Sequence, residues 1–130
     1  MKDLKRKIHY WCSDTMQNKI TGKGVVCAVL DTGITQHPDL VGRIVGWKDC
    51  VQGKKTIYDD NGHGTHVAGI LAGNGKSGRG LYSGMAPEAQ IFAVKVLNQR
   101  GGGKIRDVIN GIRYVLLKQK EMKIRIVNIS

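Results

Sequence analysis

Two aspartates and two histidines fall within one short stretch, YDDNGHGTHVAGIL at 58–71, with His63 and His66 three residues apart among glycines and other small residues. A second stretch, GVVCAVLDTGI at 24–34, runs apolar from Val25 to Leu30 and stops at Asp31, followed at once by Thr32 and Gly33. A histidine takes and returns a proton near neutral pH. A carboxylate on its second ring nitrogen would fix the tautomer and stabilise the imidazolium. Asp31 closes a buried strand and His63 opens a small-residue helix, so the two can share one rim of a parallel sheet, where α/β folds place their sites.

Other uses of these residues stay open on spacing alone. Asp31 before Thr-Gly could serve a turn or a helix cap. His63 and His66 could bind zinc with Asp59 and Asp60 adding oxygens, but the H-E-x-x-H pattern of metal helices is missing. GNGKSGRG at 73–80 looks like a phosphate loop but lacks the G-x-x-x-x-G-K-[ST] order.

The elements that must position Asp31 and His63 read as alternating strands and helices. Strands are expected at 25–30, 91–97 and 124–129, with a short one inside VGRIVGWKDCV, and helices at 63–73 and 104–118. Gly64, Ala68 and Ala72 would let the first helix pack closely. In the second, Ile105, Val108, Ile109, Ile112, Val115 and Leu116 recur at helical steps. Lys104, Arg106, Asp107, Asn110 and Arg113 take the other side. This order predicts an α/β fold, a parallel sheet flanked by helices. Residues 1–20 read as an amino-terminal arm with a short helix around CSDTMQNKI, and 21–130 as the folded part. A last strand with nothing after it suggests a fold incomplete in this chain.

The chain's 130 residues suit one domain, and its 18 glycines suit tight strand-to-helix turns rather than a helical bundle. The net charge of +11 is scattered along the chain without an organising motif, so it reads as a solvated surface and not as a nucleic-acid interface. Cys12, Cys27 and Cys50 lack C-x-x-C spacing, and Cys27 inside the apolar strand reads as a small hydrophobe. No apolar run has signal-peptide or bilayer length, which leads us to expect a cytoplasmic protein with no membrane role.

Taken together, VLDTGI, NGHGTHVAGILAG and GMAPEAQIFAVKVLNQRGGG resemble the aspartate, histidine and following segments of the subtilisin-like serine proteases, over about residues 20–130. The wording YDDNGHGTH and APEA is similar to the cytoplasmic branch. The resemblance implies a three-layer subtilisin-like fold and a serine endopeptidase acting on polypeptide, with Asp31 orienting His63, the general base, and His66 structural. It also implies that Gly101, Gly102 and Gly103 pair with extended substrate through the main chain. VNIS resembles the family's V-N-x-S-L-G, which makes Ser130 the start of a second substrate strand. Asp39 in HPDL matches a calcium ligand of the family, so a structural calcium is implied, although no cofactor is required for the chemistry. The family's oxyanion asparagine and its G-T-S-M-A nucleophile segment do not occur here. The alternative is a non-catalytic scaffold that binds peptides or regulates a protease. The missing carboxyl-terminal part of the domain would be a further partner.

Overall fold

A computed structural model of the protein describes Lys7 and residues 19–130. The expected arm and its short helix fall almost wholly outside those residues. Four strands form one parallel sheet: β1 (Val26–Asp31), β2 (Ile44–Asp49), β3 (Gln90–Lys95) and β4 (Ile124–Ile129), in the order β2-β3-β1-β4. Helix α1 (His63–Ala72) joins β2 to β3, and α2 (Ile105–Met122) joins β3 to β4.

Strand alternation sorts the side chains onto two faces. Cys27 and Val29 of β1, with Ile91 and Ala93 of β3, pack under Ala68 and Ala72 of α1. Val26, Ala28 and Leu30, with Phe92 and Val94, pack on the other side with Val115 of α2. The molecule therefore has three layers, a helix on each face of a parallel sheet, as expected. Both β1 and β3 are buried on both faces, which explains their unbroken apolar runs. Asp31 continues the Cys27–Val29 side of β1 and so emerges under α1.

The small residues of α1 are what bring it so near the sheet. Gly64, Ala68 and Ala72 are its buried residues. A Cβ at Gly64 would lie 2.3 Å from the Gly33 carbonyl oxygen.

Helix α2 corrects the sequence reading. Its buried residues are Asp107, Gly111 and Val115, whereas Ile105 is 80% exposed and Leu116 64%. Asp107, assigned to the solvent side, is only 5% exposed. The reason is the glycine. A Cβ at Gly111 would come within 2.6 Å of Val96 Cγ1, so the stripe holding the smallest residue faces the sheet; Val108 and Val115 of the expected apolar side pack there too, while Ile105, Ile109, Ile112 and Leu116 lie exposed. The helix also runs to Met122, past the expected end at 118, and stops at Lys123 in the left-handed conformation.

Candidate functional site

The carboxyl ends of β1 and β3 meet the amino end of α1 at one rim. His63 Nδ1 lies 2.8 Å from Asp31 Oδ1 and 3.0 Å from Oδ2. The Asp31 side chain is fully buried, and the imidazole is half exposed. The hydrogen bond to Asp31, helped by its negative charge and by that of Asp59, raises the pKa of His63 above the usual histidine value. Because an ionised carboxylate only accepts, the Asp31 contact assigns the proton to Nδ1 and leaves Nε2 to exchange protons.

His63 is placed by a network that satisfies the first amides of α1 with side chains. Such amides have no partner inside the helix. His63 N–H donates to Asn61 Oδ1 (3.1 Å), Gly64 N–H to Thr32 Oγ1 (2.9 Å), and Thr65 N–H to Asp59 Oδ2 (2.9 Å). Thr32 Oγ1 in turn donates to Asp59 Oδ1 at 2.8 Å, which ties the residue after Asp31 to the loop before His63. Asp59 also accepts from the amides of Asn61 and Gly62 and from the Thr65 hydroxyl. Burial alone would raise its pKa, but the hydrogen bonds from Thr65, Gly62 and Thr32 outweigh that and hold it at about 2. Asp59, weighed in the sequence as a metal ligand, thus holds the first turn of α1 through the Gly62 and Thr65 amides. The sequence reading missed its role and that of Thr32; a threonine right after the strand-ending aspartate was the available signal.

The remaining candidates occupy different positions. Gly101, Gly102 and Gly103 form an exposed turn after β3, knotted on Asn98. Asn98 N–H donates to the Gly102 carbonyl (2.7 Å), and Asn98 Oδ1 accepts from the amides of Arg100 and Gly102. The Asn61 amide group reaches the same turn through the Gln99 carbonyl, 3.0 Å away. Ser130 follows β4, next to β1, and its hydroxyl donates to Asp31 Oδ2 at 3.2 Å. His66 lines a groove of about 500 Å³ with His37, Tyr82 and Ile70, which Asp59 and Thr65 of the network also border.

Asp39 lines the same groove as His66. Its Oδ1 accepts from Ser77 N–H at 2.8 Å, its carbonyl accepts from Asn74 N–H and the Arg43 guanidinium, and the facing loop carries Lys76 and Arg79. The Ser77 amide, more than any nearby charge, lowers the pKa of Asp39. Among the described residues no three carboxylate, imidazole or thiol groups converge there. Asp39 is thus held by the Ser77 amide in a loop that also carries Lys76 and Arg79, and the calcium that the resemblance implied stays an expectation.

A buried carboxylate orienting an imidazole, at the rim of a parallel sheet covered by helices on both faces, is the arrangement of the acid–base pair in α/β hydrolytic enzymes. The chain belongs to the subtilase family, whose model matches residues 22–130. It is 55% identical over 97 residues to the serine protease AprX of Bacillus subtilis, covering 75% of this chain and 22% of that protein. It is 45% identical over 117 residues to the major intracellular serine protease of the same organism, covering 85% of this chain and 35% of that one. The solved structure of a cold-adapted subtilisin-like serine proteinase superposes with a TM-score of 0.67 at 36% identity, covering 75% of this chain and 34% of that one. The chain thus spans only about a fifth to a third of the length of these relatives.

Proposed function

We propose that these residues form the aspartate–histidine part of a subtilisin-like serine endopeptidase, with Asp31 as the orienting carboxylate and His63 as the general base. The observation that carries this reading is the two-oxygen contact of Asp31 on His63 Nδ1. In the working enzyme, His63 Nε2 would take the proton of a serine hydroxyl as its oxygen attacks a peptide carbonyl. The imidazolium would then return that proton to the leaving amine, and water would release the acyl group by the reverse path. No cofactor enters this relay.

Ser130 is not that serine in our reading. Its hydroxyl is spent on Asp31, on the wrong side of the relay from Nε2. In our reading the nucleophile and its oxyanion donors are not among these 130 residues. Gly101–Gly103 and the main chain at Ser130 would flank an extended polypeptide substrate. The outer edge of β4 would receive the rest of the domain. Two similar proteins are named intracellular serine proteases, which supports a cytoplasmic setting. The intact aspartate–histidine pair speaks against a purely scaffolding role, which has no use for it. We assign no nucleic-acid or membrane partner.

The test is a chimera in which residues 22–130 replace the matching segment of AprX. The chimera is expected to cleave peptides and to react with a fluorophosphonate at its downstream serine, with both activities lost in Asp31→Ala and His63→Ala. The isolated chain should neither cleave nor label. Labelling of the isolated chain at Ser130, or a chimera whose activity survives His63→Ala, would overturn the reading.

A further inference from the structure

Lys95 is the largest fully buried side chain, at 0% exposure. Burying an ammonium is costly unless it is paired and fully hydrogen-bonded. Lys95 meets that condition, since its three N–H donors find three oxygens: the Thr32 carbonyl, the Leu97 carbonyl at 2.8 Å and Asp60 Oδ1 at 2.7 Å. The Tyr58 ring adds a cation–π contact at 5.0 Å.

The three oxygens belong to the three segments that converge on the site. Thr32 follows Asp31, Asp60 lies in the loop that leads into His63, and Leu97 starts the turn that carries Gly101–Gly103. Lys95 is also the register partner of Asp31 across the β1–β3 pair. Strand alternation puts both on the α1 side, with Ile91 and Ala93 below Lys95 as Cys27 and Val29 lie below Asp31. An apolar side chain could fill the same space but could not hold three oxygen atoms together.

We propose that Lys95 is a positioning residue: through Asp60 and the Thr32 carbonyl it clamps the His63 loop to the end of β1 and so sets the His63–Asp31 hydrogen bond. This rests on the reading of Asp31 and His63 as the working pair. The neighbouring residues divide the work. Tyr58 holds Asp49 at the end of β2, Asp59 fixes the helix end to Thr32, Asn61 reaches the Gln99 carbonyl, and Asp60 is the loop's contact with the buried ammonium.

The sign of one measurement separates positioning from simple electrostatics. Removing a nearby cation stabilises an imidazolium and raises the histidine pKa, whereas weakening the bond to Asp31 lowers it. The experiment is an NMR titration of the His63 ring in the dilute chain and in its Lys95→Met, Asp60→Asn and doubly substituted variants. Lys95→Met is expected to lower the His63 pKa towards the ordinary histidine value and to weaken the downfield Nδ1 proton. Asp60→Asn should do the same, and the double variant should go no further than the larger single effect.

An unchanged or raised His63 pKa in folded Lys95→Met would overturn the proposal. If Lys95→Met does not fold, Asp60→Asn decides, because the Asp60 side chain is 34% exposed and tolerates the amide. Its effect must then persist at about 1 M salt, where the Debye length is about 3 Å and a mere loss of charge is screened. An effect that vanishes in salt overturns the clamp. Asp31→Asn in parallel keeps the two ideas apart: if it leaves His63 unchanged, the pair itself fails, whatever Lys95 does.

Discussion

Asp31 grips one nitrogen of His63 with both carboxylate oxygens, at 2.8 and 3.0 Å, from a fully buried position. The acceptor is dry and rigidly held at a strand end, while the imidazole faces outward. Such asymmetry suits a base that must keep one tautomer and still meet a reactant.

Replacing Asp31 by Asn should therefore return the His63 pKa to the ordinary histidine range, because both the hydrogen bond and the charge that raise it are lost. The effect on stability has a defined sign. A pKa raised in the folded state contributes stability that is fully present below the unfolded value of about 6.5 and is lost as pH rises through the folded value. Urea unfolding should show that this part of the gap between the parent chain and Asp31→Asn is widest in mild acid and narrows as the pH rises past the folded value. A gap that widens with pH would contradict the assignment.

Gly64 is where α1 touches the site. An alanine there would push its Cβ to 2.3 Å from the Gly33 carbonyl and 3.2 Å from Asp31 Cβ. Gly64→Ala should cost about 1–3 kcal/mol, the usual range for overpacking, and should disturb the Asp31–His63 contact. Gly69 lies in the same helix with open space around its Cβ position. Gly69→Ala should be neutral or stabilise by about 0.5–1 kcal/mol. Urea midpoints of the two variants check both statements.

The legible parts of this molecule are those where one local signal had one physical meaning. The apolar runs ending at Asp31 and near Lys95 read as buried parallel strands, and Gly64, Ala68 and Ala72 read as a close-packed helix face. The Asp31–His63 pairing needed the family resemblance as well, since their spacing proves nothing. Lys95 was not legible: a lysine in IFAVKVL looks like a strand's exposed end, and its three partners lie 63, 35 and 2 residues away. Helix α2 misled because it carries two stripes. Counting apolar residues placed Val108 and Val115 rightly but also Ile105, Ile109, Ile112 and Leu116, whereas close approach to Val96 centred the contact on Gly111.

Asp59 should make the site sensitive to acid. Its pKa of about 2 lies below the unfolded value, so it contributes stability above the unfolded pKa that is lost as pH falls towards 2. Asp59→Asn keeps the size but weakens five hydrogen bonds at the start of α1. Discounting for solvent screening at this partly exposed group, the loss at neutral pH should be on the order of 1–2 kcal/mol. Thermal unfolding at several pH values should show the difference shrinking between about pH 4 and pH 2. A difference independent of pH would mean that Asp59 acts by packing and not by charge.

The last prediction concerns β4, whose outer edge is unpaired among the described residues. In β4 only Ile124 is buried, while Ile126, Val127 and Ile129 are 53%, 47% and 55% exposed. Among the described residues β4 pairs with β1 alone, so its outer edge offers unpaired amides and carbonyls beside apolar side chains. A long apolar edge strand templates pairing with another chain. Opposing this is the net charge of +11, which repels a second copy over roughly a Debye length, about 10 Å in 0.1 M salt. Contact burial wins once that repulsion is screened. Sedimentation velocity should therefore give a weight-average mass that rises with concentration, and more steeply at about 0.5 M than at about 0.05 M salt. Lysine at Ile126 and Val127 puts charge on both faces of the edge strand and should restore the monomer without altering the Asp31–His63 site. A parent chain that stays monomeric at high concentration in both salts would show that the β4 edge does not drive association.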